Sequence, residues 1–506
     1  MYETIRWVYS YLRNNIHLPR AVAQTPLVVW PTVRSGVFRV SELFAGIHPA
    51  HIGVVLLFGL VACFLYIKIK YPFWNNEPVF HIYDFWRKWY HSPFLVYKNP
   101  VKTKYYSNQC SVETFSWGDL ADPYIPEIRT KQLLSKTAEI QIPHHFVGIV
   151  ANLLQDHYIP SDRIIYNLEE RDLASHFHSQ SQPEYISVFH SVVWSNGSNG
   201  SDVSERSEIP NQEEGAAPSA PVLEKRVLGC ITSRTIHIYL FTNHGEKHHQ
   251  TAYYQDFRCL HRKHTKHMRV LFDTHEYNIR VLNPETQITL FKQETELCEG
   301  VVPFLPFYTY TYCIGKLERV RVSTQYTLSR ITKTNTQSLH QFWGELTGGG
   351  GGAPADAIQR LFSTIVIPEL SSILGRINSR NLWAFALTRE DHVYAMYFIT
   401  NAHTNYEEMD DAHGNGGNTL HLVASVCNTD DVLLFYKGFL LVIREILKES
   451  PHFKMINIDA IGHNELVRSQ WNKSHSPTIQ TPAAYYLYNW IVPHSPVDVG
   501  RCFILV

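Results

Sequence analysis

The chain has 506 residues, 44% hydrophobic, 18% charged and 13% aromatic, the balance of a folded protein of two or three domains. Its formal net charge of -1 excludes a nucleic-acid binder working through bulk electrostatics, while leaving room for a local basic pocket. Eight cysteines stand singly with no CxxC pair, and the 28 histidines lack ligand spacing to acidic partners, so neither a disulfide scaffold nor a bound metal is expected.

Residues 1–42 carry aromatic and basic residues without a clear period, with a short amphipathic helix expected over Tyr2–Arg13. The run Ile52–Ile67 contains no charge. Extended upstream to Leu43, it is long enough to be expected to span a bilayer as one helix over 43–67, which takes about 20 residues. A buried core helix is the other reading of the same run. Lys68 and Lys70 follow it and only Arg39 lies close before it, which predicts a single-pass membrane protein in contact with lipid, its large C-terminal part facing the cytoplasm. Glycosylation tripeptides at Asn196, Asn199 and Asn472 would suit the opposite topology, but such tripeptides are common by chance.

Beyond the anchor the pattern is mixed α/β. Two alternating runs, Tyr185–Trp194 and Arg226–Arg234, flank a Ser-, Asn-, Gly- and Pro-rich stretch and read as an elaborated hairpin with a flexible insertion over 195–224. Gly348–Gly352 and His413–Gly417 read as further flexible insertions. Strands are expected over Thr235–Phe241, Ala252–Leu260, Gln287–Phe291, Leu382–Leu387 and Val393–Ile399. Helices are expected over His145–Leu154 and Leu434–Leu447, with a weaker one over Leu361–Leu374 that Pro368 would end or kink. Strands and helices recur twice in similar order, which suggests two related halves without a repeat at residue level.

The stretch that carries chemistry is Ala252–Met268. An alternating strand runs into the basic turn Arg262-Lys-His-Thr-Lys-His267, and apolar positions at helical spacing follow from Met268 through Leu271, Phe272, His275 and Ile279. A basic turn opening a helix is an anion site, because the free amides and the helix dipole add to the lysine and arginine charges. A solvated basic turn is the bland reading of the same residues.

Here the chain resembles the N-myristoyltransferases, built from two acetyltransferase-like (GNAT) halves. Asp256-Phe-Arg-Cys-Leu-His261 and the basic turn are similar to that family's Asn-Phe-Leu-Cys-Val-His followed by Lys-Lys-Leu-Arg-Ser-Lys-Arg. Tyr71-Pro-Phe-Trp-Asn-Asn-Glu-Pro-Val79 resembles its Tyr-Lys-Phe-Trp-x-Thr-Gln-Pro-Val, and Phe115-Ser-Trp117 the Phe-x-Trp that follows. Gly229-Cys-Ile-Thr-Ser-Arg-Thr-Ile-His-Ile238 is similar to Gly-Phe-Ile-Ser-Ala-Ile-Pro-x-x-Ile, and Tyr485–Trp490 matches Tyr-Tyr-Leu-Tyr-Asn-Trp. The matches keep family order from Tyr71 to the C-terminal region.

The resemblance implies an α/β (α+β) fold of tandem GNAT-like acyltransferase halves behind one transmembrane helix, with an acyl-CoA-binding half over 71–320 and a peptide-binding half over 321–506. It implies transfer of a myristoyl-type group from myristoyl-CoA, a co-substrate and not a permanently bound cofactor, to the N-terminal glycine amine of a peptide or protein. Tyr71, Phe73 and Trp74 would pack on CoA, and His261, Arg262, Lys263, Thr265 and Lys266 would hold its phosphates. The N–H groups of Phe257 and Arg258 would bind the thioester oxyanion, and the Val506 carboxylate would serve as base. Tyr158, Asp162, Asp256 and Tyr308 would face the acceptor.

Departures from the family pattern point to a rival reading, a catalytically degenerate membrane scaffold that keeps the fold. The family's acidic loop Tyr-Val-Glu-Asp-Asp-Asp is here Tyr158-Ile-Pro-Ser-Asp-Arg163, and its Arg-Tyr-Trp-His is Pro306-Phe-Tyr-Thr309. Gly-Asp-Gly-Asn becomes Gln480-Thr-Pro-Ala483, and Asp256 replaces Asn beside the oxyanion strand, placed either to orient the ammonium or to repel the thioester oxygen.

Overall fold

The computed structural model describes residues 49–70, 74, 77–82, 84, 95–96, 110–117, 146–159, 164–177, 181–195, 222–241, 247–347, 361–390, 392–406, 417–492 and 495–506. The expected helix Tyr2–Arg13, the insertion 196–221, Gly348–Gly352 and most of His413–Gly417 lie outside them, as do Tyr71, Phe73 and Asp162. The chain divides into two units, 1–70 and 71–506.

Within the first unit, α1 spans Pro49–Lys70. Among the described residues, however, no helix is long and apolar enough to cross a membrane. The expected span over 43–67 and the single-pass, cytoplasm-facing placement are therefore overturned, and the expected lipid contact is not shown. The uncharged run 52–67 covers about 24 Å at the helical rise of about 1.5 Å per residue, short of a hydrocarbon core of about 30 Å. Lys68 and Lys70 already occupy the last turn of the helix.

The second unit runs in order through β1 (Leu95–Val96), β2 (Cys110–Ser116), α2 (Phe146–His157), β3 (Ile164–Tyr166), α3 (Glu170–Ser175) and β4 (Tyr185–Ser195). Next come β5 (Val222–Phe241), β6 (Lys247–Leu260), a 3-10 turn (Arg262–His267), α4 (Met268–Leu282), β7 (Thr289–Glu294) and β8 (Leu305–Cys313). Then follow β9 (Thr327–Arg330), α5 (Gln337–Thr347), β10 (Thr364–Pro368), α6 (Leu370–Asn378), β11 (Leu382–Arg389), β12 (His392–Tyr406) and β13 (Gly417–Cys427). The chain ends with α7 (Val432–Glu449), β14 (Phe453–Asp459), α8 (Asn464–Trp471), β15 (Ile479–Tyr488), β16 (Trp490–Ile491) and β17 (Cys502–Ile504).

The main sheet has the order β17-β10-β5-β6-β7-β15-β8-β14-β13-β12-β11-β9, with β2 joined through β4 to β5 and β3 added to β12. The expected hairpin is β4–β5, in register from Tyr185↔Ser233 to Ser195↔Val222. Two strand–helix–strand units recur: β6 returns through α4 to the parallel β7, and β13 through α7 to the parallel β14. In each the helix covers the sheet with an apolar face. Leu271, Phe272 and Ile279 are buried on α4, while Phe435, Phe439, Val442, Ile443 and Ile446 are buried on α7 at three- and four-residue spacing. His275, also on that face of α4, is satisfied on both ring nitrogens by Ser187 and Ser233 hydroxyls at 2.7 Å.

The expected helix over Leu361–Leu374 is instead β10 followed by α6. Thr364, Ile365, Val366 and Ile367 are β-branched and buried between β5 and β17, which favours a central strand over a helix. Pro368 closes that strand, where its missing N–H costs little, and the helix begins two residues later.

Candidate functional site

The site forms where β6 parts from β7. The two pair only over Tyr253–Gln255 and Thr289–Phe291, so from Asp256 onward β6 leaves its parallel neighbour. On its other edge β5 keeps hold through a bulge. Gln255 faces Ser233 and Arg258 faces Ile231, which leaves Asp256 and Phe257 both opposite Thr232.

Each bulge residue has a defined task. The Phe257 N–H donates to Thr232 Oγ1 at 3.1 Å. The Asp256 carbonyl accepts from the Tyr158 hydroxyl at 3.4 Å, and the Tyr158 ring meets Phe257 edge-on at 5.6 Å. The Arg258 guanidinium crosses the parting, donating to the Lys292 carbonyl at 2.7 Å and to Gln293 Oε1 at 2.9 Å. A cavity of about 600 Å³ opens here, with Tyr158, Asp256, Phe257, Arg258 and Val506 all in its wall.

The basic turn lies just beyond. His261 caps it, its Nδ1 accepting the Lys263 N–H at 3.2 Å, and Arg262, Lys263, Thr265 and Lys266 are exposed. His267 precedes α4 and gives that helix no side-chain cap. Trp74 is half-buried, stacked on Phe291 at 5.4 Å and edge-on to Phe272. Tyr308 is placed differently from its neighbours. It is 47% exposed on one face of β8, whereas Thr309 and Thr311 on the other face line the cavity.

Several charged groups in the cavity wall escaped the sequence reading. Asp459, at the end of β14, accepts from Thr309 Oγ1 at 2.6 Å, and Lys292 Nζ and His421 Nε2 come within 3.3 and 3.2 Å of its other oxygen. Burial alone would raise the Asp459 carboxyl, but Lys292, His421 and Thr309 outweigh it and hold the group well below the usual carboxylate range. Burial likewise opposes the Lys292 ammonium, and Asp459 with Glu294 reverses the effect, raising it well above its ordinary value.

Across the cavity, Arg234 Nε lies 2.5 Å from Asp256 Oδ2. Burial works against the guanidinium, yet the Asp256 charge and hydrogen bond raise Arg234 above its ordinary value. Arg376, on α6, is pushed down to about 9 by burial and then by Arg234. The signal for both was present: Arg234 interrupts an apolar strand, and Arg376 sits on the buried stripe with Ile373 and Ile377. That Arg234 meets Asp256 across the β5–β6 pair, and that both guanidiniums reach one cavity, was not legible.

No family model matches this chain, and no curated protein matches it. Solved structures do. Saccharomyces cerevisiae N-myristoyltransferase with bound myristoyl-CoA superposes at a TM-score of 0.53 and 11% identity, covering 83% of this chain and 92% of the yeast one. A second yeast structure with myristoyl-CoA gives 0.54 at 11% identity over 86% and 94%. A third, with myristoyl-CoA and inhibitors, gives 0.53 at 11% over 87% and 98%. At such identity the likeness is one of fold, and the chain shares the mixed α/β fold of N-myristoyltransferase.

Proposed function

We propose that this chain is an acyltransferase that moves an acyl group from acyl-CoA to an amine. In its finer form the group is of the myristoyl type and the amine that of an N-terminal glycine. One observation carries the reading. In a fold shared with N-myristoyltransferase, a single strand, β6, presents a bulge to a cavity and then an exposed basic turn at the start of α4.

The division of labour follows from chemistry. Arg262, Lys263, Thr265 and Lys266, with His261 fixing the turn, hold the CoA phosphates, and Trp74 supports the CoA moiety beside them. A free α-amino group has a pKa of about 8, so a useful fraction is neutral at physiological pH and attacks the thioester carbonyl directly. The C–N bond forms, the C–S bond breaks, and CoA leaves as its thiol. The amine's surplus proton passes to the carboxylate assigned to Val506, which lines the cavity, and from there to the departing CoA sulfur. The Phe257 and Arg258 amides are the proposed oxyanion donors, each good for about 3 kcal/mol when aimed at the developing charge.

A second reading, a relative that keeps the fold and has lost turnover, is favoured by one contact. The Phe257 N–H is already given to Thr232 Oγ1 at 3.1 Å, and must leave it to serve an oxyanion. A single-turnover assay with labelled myristoyl-CoA and glycine-starting peptides decides between the two. Transfer that stops when residues are added after Val506 supports the enzyme and its base. Tight acyl-CoA binding with no transfer to any peptide supports the degenerate form.

A further inference from the structure

The cavity has a cationic corner that the proposed transfer leaves unused. Arg376 is 4% exposed, and its Nε and Nη1 meet no hydrogen-bond partner. Arg234 is 1% exposed; its Nε is committed to Asp256, and its Nη1 likewise meets none. Both line the cavity beside the β6 bulge. A guanidinium taken out of water without a partner costs several kcal/mol, so buried, unpaired donors on side chains that line a cavity are matched to something the cavity receives.

The surroundings fix the sign of that guest. Asp256 is bonded to Arg234, with Glu184 adding a weaker attraction to that guanidinium, and among the described residues Arg376 has no ion-pair partner. His176, from the segment after α3, adds no anion and is held well below its ordinary pKa by burial and then by Arg376. His403, from β12, faces Asp172 of α3 at 3.7 Å, so that carboxylate is engaged there. Tyr158, Tyr166 and Tyr254 complete this part of the wall and carry no charge near neutral pH, burial raising all three.

We infer that Arg376, with the unpaired Nη1 of Arg234 beside it, forms a subsite for a carboxylate carried by the acceptor close to its reacting amine. The planar fork of arginine suits a carboxylate, and a charge-assisted pair inside a cavity is stronger than one in water. This inference rests on the acyl-transfer reading for the word acceptor, because the corner shares its cavity with Phe257, Arg258 and Val506. The substrate class it names is a glycine-starting peptide with an acidic residue next to the glycine.

The test uses the full chain saturated with myristoyl-CoA and two C-terminally amidated peptides, Gly-Glu-Ala-Ala and Gly-Gln-Ala-Ala. Affinity is read by calorimetry and transfer by single turnover. The acidic peptide is expected to bind at least about tenfold tighter than its neutral twin, the equivalent of about 1.4 kcal/mol. That ratio is expected to fall towards one in Arg376→Gln and to survive in part in Arg376→Lys. Equal affinity of the twins for the unmodified chain, or a preference that persists in R376Q, overturns the subsite. The unmodified chain alone is decisive if R376Q does not fold. A preference in binding with no transfer to either peptide keeps the subsite and removes the acyl-transfer reading. Equal transfer and equal binding do the reverse.

Discussion

Arg234 Nε and Asp256 Oδ2 lie 2.5 Å apart across the β5–β6 pair, their side chains 1% and 8% exposed. Read alone, an aspartate at 256 leaves a buried charge beside the bulge. Arg234 stands where the resembled motif has Ile, so the two departures neutralise each other. Breaking the pair is expected to cost more than removing it. Asp256→Asn should destabilise the chain by about 3–5 kcal/mol, since it strands a buried guanidinium. Asp256→Asn combined with Arg234→Ile should recover most of that loss. Chemical denaturation of the two variants measures it, and equal losses would refute the coupling.

The basic turn predicts a separable binding defect. Lys263 and Lys266 are exposed, so replacing both with Ala should leave the melting temperature unchanged. Acyl-CoA affinity should drop by roughly 5- to 30-fold, about 1–2 kcal/mol for two exposed charge contacts, with the deficit shrinking as salt is raised. Titration at two ionic strengths would show whether these lysines meet phosphate at all.

Stability should also depend on Glu77, near the Trp74 contact. Burial first, and then the Asp273 charge, push its carboxyl up to about 7, with the Tyr488 hydroxyl and Arg269 opposing the rise. Asp273 is raised as well, chiefly by burial. A folded pKa above the unfolded value means that the folded state holds the proton more tightly. The resulting stability is full below the unfolded carboxyl pKa of about 4.3 and is lost as pH climbs through about 7. Melting temperature is therefore expected to fall between about pH 5 and pH 8, and to fall less in Glu77→Gln. An identical pH profile for the two chains would remove Glu77 as the cause.

Gly438 predicts a packing effect within α7. The Tyr397 hydroxyl donates to the Phe435 carbonyl at 2.6 Å, and a Cβ at 438 would collide with that hydroxyl. Gly438→Ala gains about 1 kcal/mol of helix propensity but overpacks the core at a cost of about 1–3 kcal/mol. It also breaks a buried hydrogen bond worth about 1 kcal/mol. A net loss of about 1–3 kcal/mol is expected, and Tyr397→Phe added to Gly438→Ala should restore part of it.

What the sequence disclosed follows from the range of each interaction. The β4–β5 hairpin, α4 and α7 were legible because alternation and three-to-four spacing are local. The basic turn was legible because its charges are consecutive. β10 was misread because a short buried apolar run carries no period, and its partners in β5 and β17 lie over 100 residues away on either side. The Lys292–Asp459 contact joins residues 167 apart, and the Thr309–Asp459 contact residues 150 apart, so no window reading could find either. Tyr308 and Thr309 show how fine the limit is, since one step along a strand moves a side chain from the cavity to solvent.

β15 has a consequence for how this protein is made. It lies between β7 and β8, antiparallel to both, yet is synthesised about 170 residues after them. Until Ile479–Tyr488 has left the ribosome, those two strands have no seam to join them, and each presents an open edge to other chains. A nascent chain stalled before Ile479 should be aggregation-prone and dependent on chaperones, however well its earlier hairpins have formed. Assembly of the sheet thus waits on β15, however early its two neighbours are made.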